Sequence, residues 1–292
     1  MTKLLGTILA GVCRPEGLAH GSCDRAASEE IPGGDGRGAE TGPRKRLAAL
    51  LTVCAIPAAF GYTADELAAK NVEAKGGIDS IHAIKSLRLT GRMRVQQDTL
   101  ELGFVTLVKQ PGAVRYEASL QGLTQVQAFD GTQAWQINPF QGRKDPEKLS
   151  ADDAKGLGED AADFVGPLVD YKVKGYKLDY LGREDIDGTD AYKLRVTRAN
   201  GDLTTVYLDP DYFLEIRTVN RRIEHGVPIE TVVDYGDYEK VAGVFLPLSQ
   251  ESATKGSNDR QKVQFDKGEA NVDAADGLFQ FPAAKAAGAT GK

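Results

Sequence analysis

The chain has 292 residues, a formal net charge of −6 and a hydrophobic fraction of 41%. This acidic balance argues against a nucleic-acid partner, which needs a basic surface. The three cysteines, Cys13, Cys23 and Cys54, all lie in the first 61 residues. The rest of the chain therefore cannot form a disulfide, a thiol nucleophile or a cysteine metal site.

Residues 1–61 are predicted to be a disordered leader that carries an export signal. The basic triplet at 44–46 precedes an apolar run at 47–60, which is too short to span a bilayer stably but is typical of a signal peptide. Small residues at 59 and 61 place the cleavage before Tyr62. We therefore expect a periplasmic protein whose folded domain covers 62–282, followed by a disordered tail at 283–292.

Two questions about the leader stay open on the sequence. Because 43 residues precede the basic triplet, either the true start codon lies further downstream or the leader is unusually long. Cys13 and Cys54 each follow an apolar stretch, as a lipid-anchored cysteine does, but each is preceded by valine instead of a small residue. The sequence therefore favours a protein without a lipid anchor.

The domain begins with a helix. Thr63 and Glu66 have the spacing of a capping box, and the Ala-rich segment that follows predicts a helix up to about Lys75, where Gly76-Gly77 ends it. A second short turn is expected near 78–84. From Leu87 onward apolar and polar residues alternate, which predicts strands near 87–95, 100–109, 113–120, 123–129 and 133–138.

The last two of these strands flank Asp130-Gly131, which favours a tight hairpin turn because both residues tolerate positive φ. The polar stretch 141–175 interrupts the strands and contains a predicted helix at 160–171, kinked or shortened by Gly166-Pro167. Seven further strands are predicted at 176–183, 190–198, 203–209, 213–223, 227–239, 244–253 and 261–270. About a dozen strands joined by short turns predict a large, curled antiparallel sheet.

Four stretches resemble the LolA-like family of periplasmic proteins, which includes the outer-membrane lipoprotein carrier and the lipoprotein-sorting proteins. They are Val108–Pro111 with Arg115-Tyr116, Phe129-Asp130-Gly131 with Trp135 and Asn138-Pro139-Phe140, Tyr207–Pro210, and Leu278–Pro282. Their order and spacing cover most of 64–282. The resemblance implies a mainly β (α+β) fold in which an unclosed β-barrel carries a helical lid over an apolar cavity.

The resemblance also implies a function that involves no catalysed reaction, in which the cavity shelters acyl chains of lipids or lipoproteins. One position departs from the family. The carrier has a basic residue between the Lys and the Pro of the first motif, where it helps to latch the lid, whereas this chain has Gln110. An amide cannot make the charge-assisted bond of a guanidinium, so a general lipid-binding or sensing role in the envelope is favoured over lipoprotein handover.

A half-closed sheet must bury its inner face against side chains or a ligand. The candidate cavity lining consists of Met93, Val95, Phe104, Val114, Tyr116, Trp135, Phe164, Leu168 and Val169. Taken singly, each of these residues favours a plain core position, since large apolar residues are usually buried. Taken together, and beneath a short lid, they favour an apolar pocket.

The sequence favours a binding protein over an enzyme. Histidines lack the spacing of a zinc site, paired carboxylates lie in solvated turns, and no nucleophile elbow or phosphate loop is present in the domain. We therefore expect no cofactor and no metal. The expected partners of this monomer are acyl chains and, in addition, membrane proteins of the envelope; the alternative is an envelope sensor or protein-interaction module on the same fold.

Overall fold

The computed structural model describes residues 61–257 and 260–282. The predicted leader apart from residue 61, and the whole of the predicted tail, lie outside these residues. Three α-helices and thirteen strands occur in the described part of the chain, with two short 3-10 turns at Pro139–Gln141 and Asp276–Leu278. The helices are α1 (Ala64–Ala74), α2 (Ile78–Ala83) and α3 (Ala151–Ala162).

The strands form one antiparallel sheet. They are β1 (Ser86–Val95), β2 (Leu100–Lys109), β3 (Ala113–Leu120), β4 (Leu123–Phe129), β5 (Ala134–Asn138), β6 (Arg143–Lys148), β7 (Lys177–Ile186), β8 (Thr189–Thr197), β9 (Leu203–Leu208), β10 (Glu215–Glu224), β11 (Val227–Val241), β12 (Val244–Thr254) and β13 (Arg260–Ala270). Their order in the sheet is β6-β5-β4-β3-β2-β1-β13-β12-β11-β10-β9-β8-β7. The sheet is not closed into a barrel, because β6 and β7 remain free edges.

The topology consists of two meanders that meet at the centre of the sheet. Each meander is built from sequence neighbours, and the β1–β13 ladder joins them. Gly91 lies at an irregularity in this ladder, and a Cβ at this position would be 2.1 Å from the carbonyl oxygen of Gln264. Only glycine fits so close to the partner backbone.

Local signals determine the ends of several elements. Thr63 and Glu66 form the predicted capping box, with the Thr63 N–H donating to Glu66 Oε2 at 2.7 Å and the Glu66 N–H to Thr63 Oγ1 at 3.2 Å. The Asp130-Gly131 hairpin between β4 and β5 is also confirmed. There the Asp130 carboxylate accepts the Thr132 and Gln133 N–H groups.

Two predictions about the middle of the chain were wrong. The helix expected at 160–171 instead occupies Ala151–Ala162, after the Ser150 N-cap, and the residues beyond Asp163 form turns. Val165, Leu168 and Val169 are buried and Phe164 is partly buried, but Gly166, at φ +107°, and Pro167 interrupt helical geometry. The expected list of strands also lacked β6, a charged edge strand that contains Pro146.

All three helices and the segment 163–176 lie on one face of the sheet, which we call the inner face. Leu67 and Ala68 of α1 pack against Leu194 and Val206 of the β8–β9 half. On the other half, α3 packs its buried Leu157 and Ala161 into the core of β1–β4. Segment 163–176, which we call the lid segment, connects α3 to β7 between these two contacts.

Candidate functional site

A buried ion pair holds the lid segment to the sheet. Lys75, the C-cap residue of α1, donates through Nζ to Glu215 Oε1 of β10 and to the backbone carbonyl of Val165, both at 2.5 Å. The Lys75 and Glu215 side chains are only 3% and 5% exposed. One ammonium group therefore connects α1, the lid segment and the second meander.

The neighbouring glycine is required by this contact. Gly166 has φ +107°, and a Cβ there would be 2.4 Å from Lys75 Nζ and 2.7 Å from Glu215 Oε1. Glu215 is held from its other side by Tyr238, whose hydroxyl donates to the Glu215 carbonyl at 2.8 Å. Burial raises the pKa of the Tyr238 hydroxyl well above its ordinary value, which keeps it a neutral donor.

A second set of polar contacts holds the ends of the lid segment. The Asp163 carboxylate accepts from the guanidinium of Arg198 and, at 2.9 Å, from Lys174. Further along, His82 Nε2 of α2 lies 2.7 Å from Asp170 Oδ2. The lid segment is thus attached by these polar contacts and by the buried side chains of Val165, Leu168 and Val169.

The first cavity lies between the lid segment and the inner face, and its volume is about 170 Å³. One wall, on the first meander, is mostly apolar and includes Leu87, Leu89 and Val108. Within this wall Thr106 is buried, and its Oγ1 has no hydrogen-bond partner in the structure. An unpaired buried hydroxyl is costly, so a polar atom that entered this cavity would be stabilised there.

The opposite wall, on the second meander, is polar but internally satisfied. Thr204 Oγ1 donates to Asn220 Oδ1 at 2.8 Å, and the hydroxyls of Thr218 and Tyr235 are 3.1 Å apart. Burial raises the pKa of Tyr235 to about 12. Burial also raises the pKa of Glu159 at the lid end of the cavity. This wall can therefore meet a ligand with neutral hydrogen-bonding groups.

The second cavity lies at the other side of the lid segment and has a volume of about 350 Å³. Ile81, Ile84 and Val169 give it an apolar floor, and Lys85 and Lys174 stand at its rim. Phe164 and Val165 line both cavities. The two spaces are therefore separated by residues of the lid segment itself.

The predicted lining residues divide among several places. Tyr116 lines the first cavity, Val169 the second, and Phe164 both. Met93, Val95, Phe104 and Val114 belong to the main core beneath α3, and Leu168 packs under α1 against the β8–β9 half. Gln110, the predicted latch position, lines the second cavity, and its backbone N–H donates to the carbonyl of Lys85 at 2.9 Å.

Trp135 lies on the opposite face of the sheet and lines neither cavity. Its Nε1 donates to the carbonyl of Phe279 at 2.7 Å, and its ring contacts Phe281 edge-on. Arg115 stands over the same ring and donates to the carbonyl of Leu278 at 2.8 Å. Three of the four stretches that suggested the family thus meet here, where they attach the C-terminal segment to the sheet.

The residues that sequence reasoning missed are Lys75, Glu215, Thr106 and Arg198. A lysine at a helix end and an arginine just after a strand are normally solvated, and no local pattern distinguishes these two. Lys75 and Glu215 are 140 positions apart, so only the sheet order brings them together. Within residues 61–257 and 260–282, no cluster of three or more His, Cys, Asp or Glu side chains has the arrangement of a metal site.

The fold of this chain is shared with solved structures. A LolA superfamily protein from Nitrosomonas europaea superposes with a TM-score of 0.53 at 16% identity, over 75% of this chain and 98% of that one. This chain has the LolA-like fold. A proposed outer membrane lipoprotein-sorting protein domain from Vibrio parahaemolyticus shows the same LolA-like fold, with a TM-score of 0.51 at 11% identity over 74% of this chain and 95% of that one.

The LolA-like resemblance seen in the sequence motifs is thus confirmed at the level of the fold. No protein-family model matches the sequence, and no curated protein matches it. Among the described residues, no helix combines the length and hydropathy that crossing a membrane requires.

Proposed function

We propose that the protein is a non-enzymatic carrier of the bacterial periplasm that shelters an acyl chain of a lipid or lipoprotein beneath its lid segment. The observation that carries this proposal is the first cavity, which lies between an apolar wall of the sheet and a segment that polar contacts help to hold. The LolA-like fold and the lipoprotein-sorting domain among its structural neighbours support the same function. The predicted export signal supports the location.

The size of the first cavity implies that the lid segment moves when ligand binds. A cavity of roughly 150 Å³ accommodates a molecule of the size of benzene, and the first cavity is only slightly larger. Ligand pockets usually measure about 300–1,000 Å³. A long acyl chain therefore does not fit the first cavity as it stands, so at least part of segment 163–176 must move.

The energies allow such a movement. Each methylene removed from water contributes about 0.8 kcal/mol. A hydrogen bond such as that from Lys75 to the Val165 carbonyl contributes about 1.5–3 kcal/mol because its donor is charged. Burial of about four methylenes therefore offsets the loss of this contact, and further methylenes offset any exposure of Val165, Leu168 and Val169.

The test is native mass spectrometry with organic extraction on the full chain, expressed with export and purified from a bacterial periplasm. We expect additional mass that resolves into acyl lipids, and displacement of an apolar fluorescent probe by added lipid. Leu89→Trp, which fills the first cavity, should reduce lipid uptake. Leu181→Trp, on an exposed position of β7, serves as its matched control.

An apo mass for the wild-type protein, together with no uptake on titration, would exclude the carrier function. That result would favour the alternative in which the same fold acts as a sensor or interaction module for envelope proteins. A stable protein partner recovered with an empty cavity would support the alternative directly.

A further inference from the structure

The two cavities are neighbours divided by one aromatic side chain. Phe164 and Val165 line both cavities, and Phe164 is only partly buried. The Val165 carbonyl is held by Lys75, but no polar contact restrains the Phe164 ring. The Phe164 ring packs against the main core but stays partly exposed, so it is the side chain whose rotation would open a path between the two spaces.

The two cavities together reach the usual volume of a ligand site, whereas the first cavity alone does not. The first cavity alone, at about 170 Å³, is below the usual range of ligand sites, and the second is near its lower limit at about 350 Å³. Joined past Phe164, they form a space well within that range. Because the two parts meet at one side chain, a single flexible chain fits the joined space better than a compact ligand.

The charges at the two ends of this space differ. In the first cavity each lining cation has a carboxylate partner: Lys75 pairs with Glu215, Arg198 with Asp163, Arg221 with Glu230 and Arg222 with Glu224. At the rim of the second cavity, Lys85 donates to the His82 carbonyl at 2.8 Å, and no carboxylate of the described residues pairs with it. Lys174 shares Asp163, and Asp170 pairs with His82.

The rim of the second cavity thus has an ammonium group that is not neutralised by an ion pair, although the whole chain is acidic. An anionic group placed near Lys85 would meet favourable charge without displacing an existing partner. The same group placed in the first cavity would have to compete with the carboxylates already bound there.

From these observations we infer that the two cavities are halves of one channel, divided by Phe164, that takes a single-chain anionic amphiphile. The ligand's charged head lies beside Lys85, and its alkyl chain passes Phe164 into the first cavity. This inference rests on the proposed function and adds the ligand's charge, its single chain and the direction in which it lies.

The charge is tested by isothermal titration calorimetry with dodecanoate, dodecanol and dodecyltrimethylammonium, which share one chain and differ in the head. We expect dodecanoate to bind most tightly and its affinity to fall with added salt. Lys85→Ala should weaken dodecanoate about two- to fivefold and leave dodecanol unchanged. Lys177→Ala, at an exposed position of β7 outside both cavities, should change neither.

The channel is tested with a series of fatty acids from hexanoate to tetradecanoate. Affinity should rise about fourfold per methylene until the channel is full and then level off. Phe164→Trp should move this plateau to shorter chains, and Phe164→Leu should move it to longer ones. Trp135 lies outside both cavities, so wild-type and Leu-variant folding can be followed by its emission, and circular dichroism serves for the Trp variant.

The outcomes separate this inference from the proposed function. Equal affinity for the anionic and cationic amphiphiles would overturn the placement of the head, and a plateau unmoved in both Phe164 variants would overturn the channel. In either case acyl chains would still bind, and the carrier function would stand. Failure of every alkyl ligand to bind the wild-type protein would overturn both.

Discussion

Replacing Lys75 with methionine should destabilise the protein far more than the loss of an ordinary ion pair. Lys75→Met retains the volume of the side chain but removes the charge that neutralises Glu215 and the donor to the Val165 carbonyl. Because both charged side chains are almost fully buried, Glu215 cannot be hydrated in the folded state. Removal of one partner of a buried pair costs about 3–5 kcal/mol.

The assay is urea unfolding followed through the emission of Trp135, the single tryptophan of the chain. This residue is buried on the opposite face of the sheet, so its signal reports unfolding and not the position of the lid segment. The unfolding midpoint should fall while the slope stays unchanged.

Two control variants show whether the loss of stability arises from the buried charge. Lys267→Met removes a partner of Glu269 at the surface, where the side chains are 65% and 38% exposed, and should cost less than about 1 kcal/mol. The double variant Lys75→Met with Glu215→Leu removes both buried charges and should be more stable than Lys75→Met alone. If Lys75→Met cost no more than Lys267→Met, the argument that a buried ion pair holds the lid segment would be refuted.

Three further substitutions test other parts of the structure. Gly166→Ala should lower the free energy of unfolding by about 1–3 kcal/mol and also displace the lid segment. Its control is Gly122→Ala, where an added Cβ meets nothing within 4 Å, and which should leave ligand affinity unchanged. Equal effects of the two substitutions on ligand affinity would contradict the close contact at Gly166. Trp135→Phe should lower the free energy of unfolding by about 1–3 kcal/mol, because the Phe279 carbonyl loses its donor. Calorimetry should show no change in acyl-chain affinity. A loss of affinity without a loss of stability would instead indicate that Trp135 lines the cavity. Because burial raises the pKa of Tyr235 to about 12 from an unfolded value of 10.0, its contribution to stability is complete below pH 10 and is lost as the pH rises towards 12. Tyr235→Phe should therefore flatten the alkaline decline in unfolding free energy, and an unchanged decline would argue against this assignment.

The parts of the fold that depend on short stretches could be predicted from the sequence. The capping box at Thr63 and the hairpin at Asp130-Gly131 involve residues within four positions of each other, so their chemistry is visible in the residues alone. The prediction of a helix at 160–171 was wrong because the apolar residues there have helical spacing but lie in turns. The true helix depends on the Ser150 cap and on small residues that fit closely against the sheet, such as Gly158 beside the Phe129 ring.

The site was harder to predict because its residues are joined by the order of the strands. Lys75 and Glu215 meet only because β10 lies beneath the end of α1, and neither residue has a local pattern that suggests burial. Trp135 illustrates the converse difficulty. A strand places successive side chains on opposite faces, and a shift by one position in the assumed register exchanges the inner face for the outer one.

The junction of the two meanders has a consequence for how the protein folds. Each meander can form from hairpins between sequence neighbours, whereas the β1–β13 ladder pairs residues such as Leu87 and Ala270 across most of the domain. Contacts of such long sequence separation form slowly, because the intervening chain must first be ordered. We therefore expect two half-sheets to assemble early and the ladder around Gly91 to close last, so a bulkier residue at this position should slow folding more than any change at a hairpin turn.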